Sequence, residues 1–170
     1  LIRRIVSHPD TFTGEIVVSE NAQFNSTSGM NRAANNAQDT TRSPYDVVLE
    51  FQSLGYRVSV FDWTLVRSQQ VAEYSTGNMT NGYVVSTYDT GIGGSVSYPK
   101  FATTYGTRIS LKLGIWTQEG GYDRTHLKFI NLPVLKSHHA VYGATASVKN
   151  FMGVVTTDLG TNSHGGLVSG

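Results

Sequence analysis

The strongest constraint on the fold of this chain lies between residues 15 and 61. Residues 15–19, EIVVS, form a β-branched run after Gly14 and read as a strand. Ser43-Pro44 has the form of a helix N-cap followed by proline at the first helical position, with Asp46 in the first turn. Val47, Val48, Phe51 and Leu54 recur at helical spacing, and Gly55 stands where such a helix should stop. Residues 56–61, YRVSVF, read as a second strand. Strand, helix, glycine, strand is a β-α-β unit, which implies a parallel strand pair and a right-handed crossover. The side chains expected inside are Val47, Phe51, Leu54, Val58 and Val60.

The rest of the chain is placed around that unit. Residues 20–42 are rich in Asn, Ser and Thr and supply little core; a short helix is expected near 31–38 within a long loop. From 77 to 117 the texture is strand and turn. Asn81-Gly82 predicts a hairpin turn before Tyr83-Val84-Val85. Ile109, Leu111, Leu113 and Ile115 alternate with Ser110, Lys112 and Gly114, the pattern of one strand with a buried face. Residues 127–132, LKFINL, predict a further strand closed by Pro133, and residues 143–152 a short helix stopped by Gly153. The expected fold class is α/β, a single domain over 1–170 with a mixed, partly parallel sheet, flanking helices and a β-rich middle segment.

Totals narrow the function. At 170 residues the chain is long enough to remove roughly 70% of its unfolded surface from water. Thirteen basic and 12 acidic side chains give a net charge of +1, too balanced for a nucleic-acid binder or a polybasic membrane anchor. No apolar run approaches the ~20 residues of a membrane span. The chain has no cysteine, so it holds no disulfide, no Cys-ligated iron–sulfur cluster and no thiolate zinc site. That absence leaves the compartment open, with the cytoplasm slightly favoured. Asn25-Ser26-Thr27 and Asn78-Met79-Thr80 match the glycosylation sequon but are expected by chance in so Asn-rich a chain. The start at Leu1 and the end at GGLVSG lead to the expectation of a longer parent protein.

The chemistry concentrates in INLPVLKSHHAVYGATASVKNFMGVV, residues 130–155. On the expected frame Lys136, His138 and His139 fall just beyond the carboxyl end of a core strand, where open α/β sheets form ligand crevices. Gly143 to Ser147 would start a helix with small side chains and free N–H groups, suited to an anion, and Lys149 lies one turn beyond Thr145. The competing reading makes Lys136 and Lys149 solvent-seeking surface lysines and the histidines loop residues. A P-loop is excluded, because Val148 and Asn150 stand where Gly and Ser or Thr belong. Gly91-Ile92-Gly93-Gly94 lacks the setting of a dinucleotide fingerprint and reads as a loop.

LPVLKSHHAVYGATASVKNFMGVV resembles the signature of the family catalogued as domain of unknown function 362, whose core runs P-x-LK-x-H, G-x-T, K-N, G. Lys136, His138, Gly143, Thr145, Lys149, Asn150 and Gly153 match it, and His164 in Asn162-Ser163-His164-Gly165 resembles a further family histidine. The likeness covers most of 14–167 and is specific over 98–166. The family often accompanies ferredoxin-type cluster domains, which implies a ferredoxin-type partner, since this chain has no Cys. The family's biochemical role is unassigned. A second likeness is to the amino-terminal domain of lactate racemase, where a helix lysine holds a nickel-pincer nucleotide. Here the spacing differs, and Ala146-Ser147 replace the second glycine of that pattern.

Two function classes remain. In the first, an enzyme or cofactor-binding domain, Lys136 and Lys149 hold the phosphate or carboxylate of an anionic small molecule, with Gly143, Thr145 and Asn150 completing the site. His138 then serves as general acid/base, with Lys149 beside it, because a reference pKa of ~6.5 suits proton transfer near neutrality. His139 and His164 are the candidate metal ligands, without a carboxylate partner, and His138 and His164 are expected to share one cleft. His8 and His126 read as structural or exposed. In the second class the chain is a noncatalytic, self-assembling or protein-binding module, for which nine Tyr and many Thr, Ser and Gly are also suitable.

Overall fold

The computed structural model of the chain describes residues 1–20, 30, 41–66, 69–87, 95–132, 136–139, 143–145 and 167–168. Helices are α1 (Ile2–Val6) and α2 (Pro44–Ser53). Strands are β1 (Ile16–Glu20), β2 (Val58–Asp62), β3 (Gly82–Thr87), β4 (Ser95–Ala102), β5 (Arg108–Ser110), β6 (Gly114–Trp116), β7 (Tyr122–Asp123), β8 (Lys136–His139), β9 (Gly143–Thr145) and β10 (Leu167–Val168). Two single 3-10 turns, Trp63–Val66 and Tyr74–Thr76, follow β2 and precede β3. Helices and strands both contribute, and strands dominate. The expected short helix at 31–38 lies outside the described residues.

The β-α-β unit forms as its sequence dictates. Ser43 Oγ accepts from Asp46 N–H (3.1 Å), and Asp46 Oδ2 accepts from Ser43 N–H (2.8 Å) and from Ser43 Oγ (2.7 Å). This reciprocal box satisfies donors that a helix start leaves orphaned. The Ser43 hydrogen bonds, backbone first, hold the Asp46 carboxyl below its ordinary range. Beyond Ser53, Gly55 adopts φ +86° and Tyr56 N–H reaches back to Phe51 O (3.1 Å), closing the helix. β1 and β2 then pair in parallel, Ile16 opposite Val58 through Glu20 opposite Asp62. Val48, Phe51 and Val58 form the buried centre, with Ile2, Val6, Ile16, Val18, Val47 and Val60 around it. Leu54 departs from expectation at 61% exposure. It is the residue at which the helical conformation ends, so the chain turns before its side chain can join the stripe.

The second half is an antiparallel sheet built on β4. β3 pairs along residues 95–100, β5 along 100–102 and β10 at 95–96, and the order continues from β5 to β6 and β7. One face of this sheet carries Tyr83, Phe101 and Ile109, packed against Trp63 and Val66. It joins the parallel pair through Phe61, whose ring stacks on Phe101 at 4.1 Å and 20°. Glu15, at the entrance to β1, ties the same two sheets by accepting from Ser59 Oγ (3.0 Å) and Thr103 Oγ1 (3.1 Å). The parallel strand pair and the antiparallel strands thus form separate sheets among the described residues, in place of the one mixed sheet expected, with a single parallel bridge from Gln70 added to β3.

Three further expectations are corrected. Asn81-Gly82 is not a hairpin turn. Gly82 is the first residue of β3, and residues 69–71 run beside it, with a parallel bridge between Gln70 and Tyr83. A Cβ on Gly82 would meet Gln69 O at 2.4 Å, so the glycine serves close backbone approach. Residues 109–115 are a hairpin, with Ile109 opposite Ile115 and a turn at 111–113. Gly114, at φ +110°, permits that turn. Residues 127–132 form no strand, and Ile130 and Leu132 are 54% and 66% exposed. β-propensity describes fit to a pleated, half-buried surface, and an apolar composition alone does not make a strand.

Ser43→Ala removes the side-chain half of the capping box. It should lower unfolding free energy by about 1 kcal/mol without changing the far-ultraviolet circular dichroism of the folded chain. A denaturant midpoint equal to the parent's would show that this cap does not hold α2.

Candidate functional site

The residues that the sequence singles out lie on a two-stranded ribbon. Lys136, His138 and His139 are within β8, not on a loop beyond a core strand, because residues 127–132 are irregular. Gly143 and Thr145 are the ends of β9, so the helix expected from 143 does not begin there. The register sets Lys136 opposite Thr145, Ser137 opposite Ala144 and His139 opposite Gly143. An irregularity between Ser137 and His139 leaves His138 as the extra residue. Lys149, Asn150, Gly153 and His164 lie outside the described residues, as does the expected shared cleft of His138 and His164.

A different group of titratable side chains gathers on the second face of the antiparallel sheet. Lys100 and Ser110 are cross-strand partners there, and Tyr98 lies two residues before Lys100 on the same strand. Lys100 has no exposed surface, at 0%. Its Nζ donates to Ala72 O (2.6 Å), Asn78 O (2.7 Å) and Asn78 Oδ1 (3.2 Å), and sits 4.3 Å from the centre of the Tyr74 ring. An ammonium has three protons to place, and all three find acceptors. From the same covering segment, Glu73 accepts from Ser110 Oγ (2.7 Å) and Tyr122 O–H (2.7 Å). Tyr74 stacks on Trp116, and Trp116 meets Tyr122 edge-on at 4.9 Å.

Electrostatics follow from this burial. Desolvation lowers the Lys100 pKa, partly countered by the Glu73 charge. Burial raises Tyr74, assisted by the Glu73 and Tyr122 charges and opposed by Arg108. Tyr98 and Tyr122 are raised by burial first and by their hydrogen bonds to Glu73 second. Tyr74 O–H has no partner among the described residues. The arrangement places a carboxylate, an ammonium and three phenols together, and Lys100, Glu73, Tyr98 and Tyr122 are committed to holding residues 72–78 on the sheet.

The remaining histidine chemistry is local. Asp123 accepts from Thr125 N–H (2.8 Å), Thr125 Oγ1 (2.8 Å) and His126 N–H (3.2 Å), and pairs with His126 Nδ1. The hydrogen bonds from Thr125 and His126 hold its carboxyl well below the usual carboxylate range. The His126 side chain is mostly exposed, so this pair closes a turn in open solvent. His8 is similarly exposed beside Asp10.

No family model, curated protein or solved structure matches the chain. Its functional reading therefore rests on side-chain chemistry. Sequence gave little warning of the Lys100 group, because its acceptors are mainly backbone carbonyls 22 and 28 residues away. Among the described residues no helix is long and apolar enough to cross a membrane.

Among the described residues, the three raised tyrosines make the fold sensitive to alkali. Each holds its proton more tightly folded than unfolded, so its contribution is complete below about pH 10 and is lost as pH rises toward the folded values. Lys100 acts in the opposite sense, favouring folding as pH rises toward about 10.4, but it stands against three tyrosines. The denaturant midpoint should therefore fall above about pH 10, and Tyr98→Phe should make that fall shallower. An equally steep decline in the variant would remove Tyr98 from the account.

Proposed function

We propose that the chain is an α/β domain that binds an anionic small molecule or cofactor at the β8–β9 ribbon and the segment that follows it. The supporting observation is the register of that ribbon, with Lys136 opposite Thr145, His139 opposite Gly143 and His138 at an irregularity. Bulges of this kind re-aim a residue and recur beside active sites. Lys136 and Lys149 supply the positive charge, and Gly143, Thr145 and Asn150 complete the pocket. His138 acts as general acid/base, since an imidazole titrates close to neutral pH. His139 and His164 are the residues available to a metal. In this reading the likeness to domain of unknown function 362 favours a redox-associated role beside a ferredoxin-type partner.

A noncatalytic, self-assembling module is the second reading. It is favoured by the exposed Ile130 and Leu132 side chains, which follow one another closely on an irregular segment. A monomer at all concentrations in sedimentation velocity would remove it.

Inorganic pyrophosphate is a suitable probe of the first reading. Calorimetry should show saturable binding, weakened about tenfold by Lys136→Met or by Lys149→Met, each of which deletes one charge-assisted hydrogen bond. Both variants should keep the parent's circular dichroism. Undiminished affinity in both would leave these lysines as ordinary surface residues. Metal analysis of chelator-free protein by native mass spectrometry tests His139 and His164 in the same preparation.

A further inference from the structure

A cleft of about 390 Å³ opens at the β6–β7 end of the antiparallel sheet, lined among the described residues by residues 111–114, Arg124, Leu127 and Phe129. Clefts that hold small molecules run from about 300 to 1,000 Å³. Its walls are apolar, formed by Leu111, Leu113, Leu127 and Phe129. Its floor depends on Gly114, whose α-carbon lies so close to the next strand that a Cβ would come within 2.3 Å of Asp123 O. No side chain larger than hydrogen fits there, so β6 and β7 meet closely beneath the opening.

The charged groups of the cleft are all of one sign. Lys112 and Arg124 line it, and the described lining contains no carboxylate. Neither cation forms an ion pair with a carboxylate among the described residues. Asp123, the acidic neighbour in sequence, has its oxygens engaged by Thr125 and His126. Lys112 is held in place, with Nζ donating to Ser86 Oγ (2.8 Å) and lying 5.5 Å from the centre of the Tyr98 ring. One hydrogen bond leaves an ammonium with further donors to offer.

Apolar walls beside two uncompensated cations fit a ligand with a hydrocarbon tail and a single anionic head. We propose that this cleft, separate from the β8–β9 ribbon, is a binding site for an alkyl carboxylate. The chain lies along Leu111, Leu113, Leu127 and Phe129, and the carboxylate meets Lys112 and Arg124. The tail gains from each methylene taken out of water, and the head gains from a charge-assisted bidentate pairing with the guanidinium.

The probes are hexanoate, octanoate and decanoate below their micelle concentrations, with octanol as the neutral control, each titrated by calorimetry. Octanoate should bind saturably at one site per chain. Affinity should rise by about fourfold per methylene between hexanoate and decanoate until the cleft is filled. Arg124→Gln and Lys112→Gln, both at exposed positions, should keep the parent's circular dichroism and weaken octanoate about tenfold each, while octanol binding stays as in the parent. Three binding results would overturn the proposal. They are no saturable octanoate binding, equal affinity for octanoate and octanol, and octanoate binding unchanged in both variants. Self-association of the chain that octanoate does not reverse would equally assign these apolar walls to a second copy.

Discussion

An ammonium group withdrawn from water must have every proton satisfied, and in this chain that demand falls on Lys100. Its acceptors are Ala72 O, Asn78 O and Asn78 Oδ1, all in one segment that crosses the sheet above it. To deliver them, residues 69–71 must run alongside β3, which they can do only because Gly82 has no side chain. The same crossing brings Glu73 down onto Ser110 and Tyr122 and lays the Tyr74 ring against the ammonium. A single buried charge thereby fixes the path of residues 72–78 and links β4, β5 and β7. Burial of this kind is costly if any partner is missing, so the network is cooperative by necessity.

The opposite face of the sheet works by ordinary apolar packing. Phe101 and Ile109 meet Trp63 and Val66, and the Phe61–Phe101 stack carries that core into the parallel pair. Glu15 adds a polar tie between the same two sheets through Ser59 and Thr103. Helix α2 is positioned from both of its ends, by the Ser43–Asp46 box and by the turn at Gly55, while Val48 and Phe51 seat it on Val58. Polar locking on one face and hydrophobic contact on the other give the antiparallel sheet two independent attachments.

What could be read in the sequence depended on whether the determining contacts were local. Ser43-Pro44, Asp46 and Gly55 act within one or two helical turns, and helix then strand formed over 43–61 as these residues indicate, with Leu54 the exception in burial. The stretch from Ile109 to Ile115 carried a clean alternation, yet a backbone-conformation preference at Gly114 divided it into two strands. LKFINL had the composition of a strand but takes an irregular path. The run from Lys136 to Thr145 was legible as a concentration of unusual chemistry but not as a strand pair, because 136–142 read as a loop and the spacing of Ala144, Val148 and Phe151 pointed to a helix from 143. Lys100 was the least visible of all. Nothing in SYPKFATTY separates it from a solvent-facing strand lysine, since its partners are supplied from elsewhere in the chain.

Amide hydrogen exchange in the parent and in Lys100→Met tests the dependence on that buried charge most directly. Methionine keeps the length of the stem and removes all three donors. Amides in residues 72–78 should lose protection in the variant by at least about tenfold more than amides of α2 and β2, because a local opening replaces the lock. A uniform change across both regions, or protection of 72–78 equal to the parent's, would contradict it.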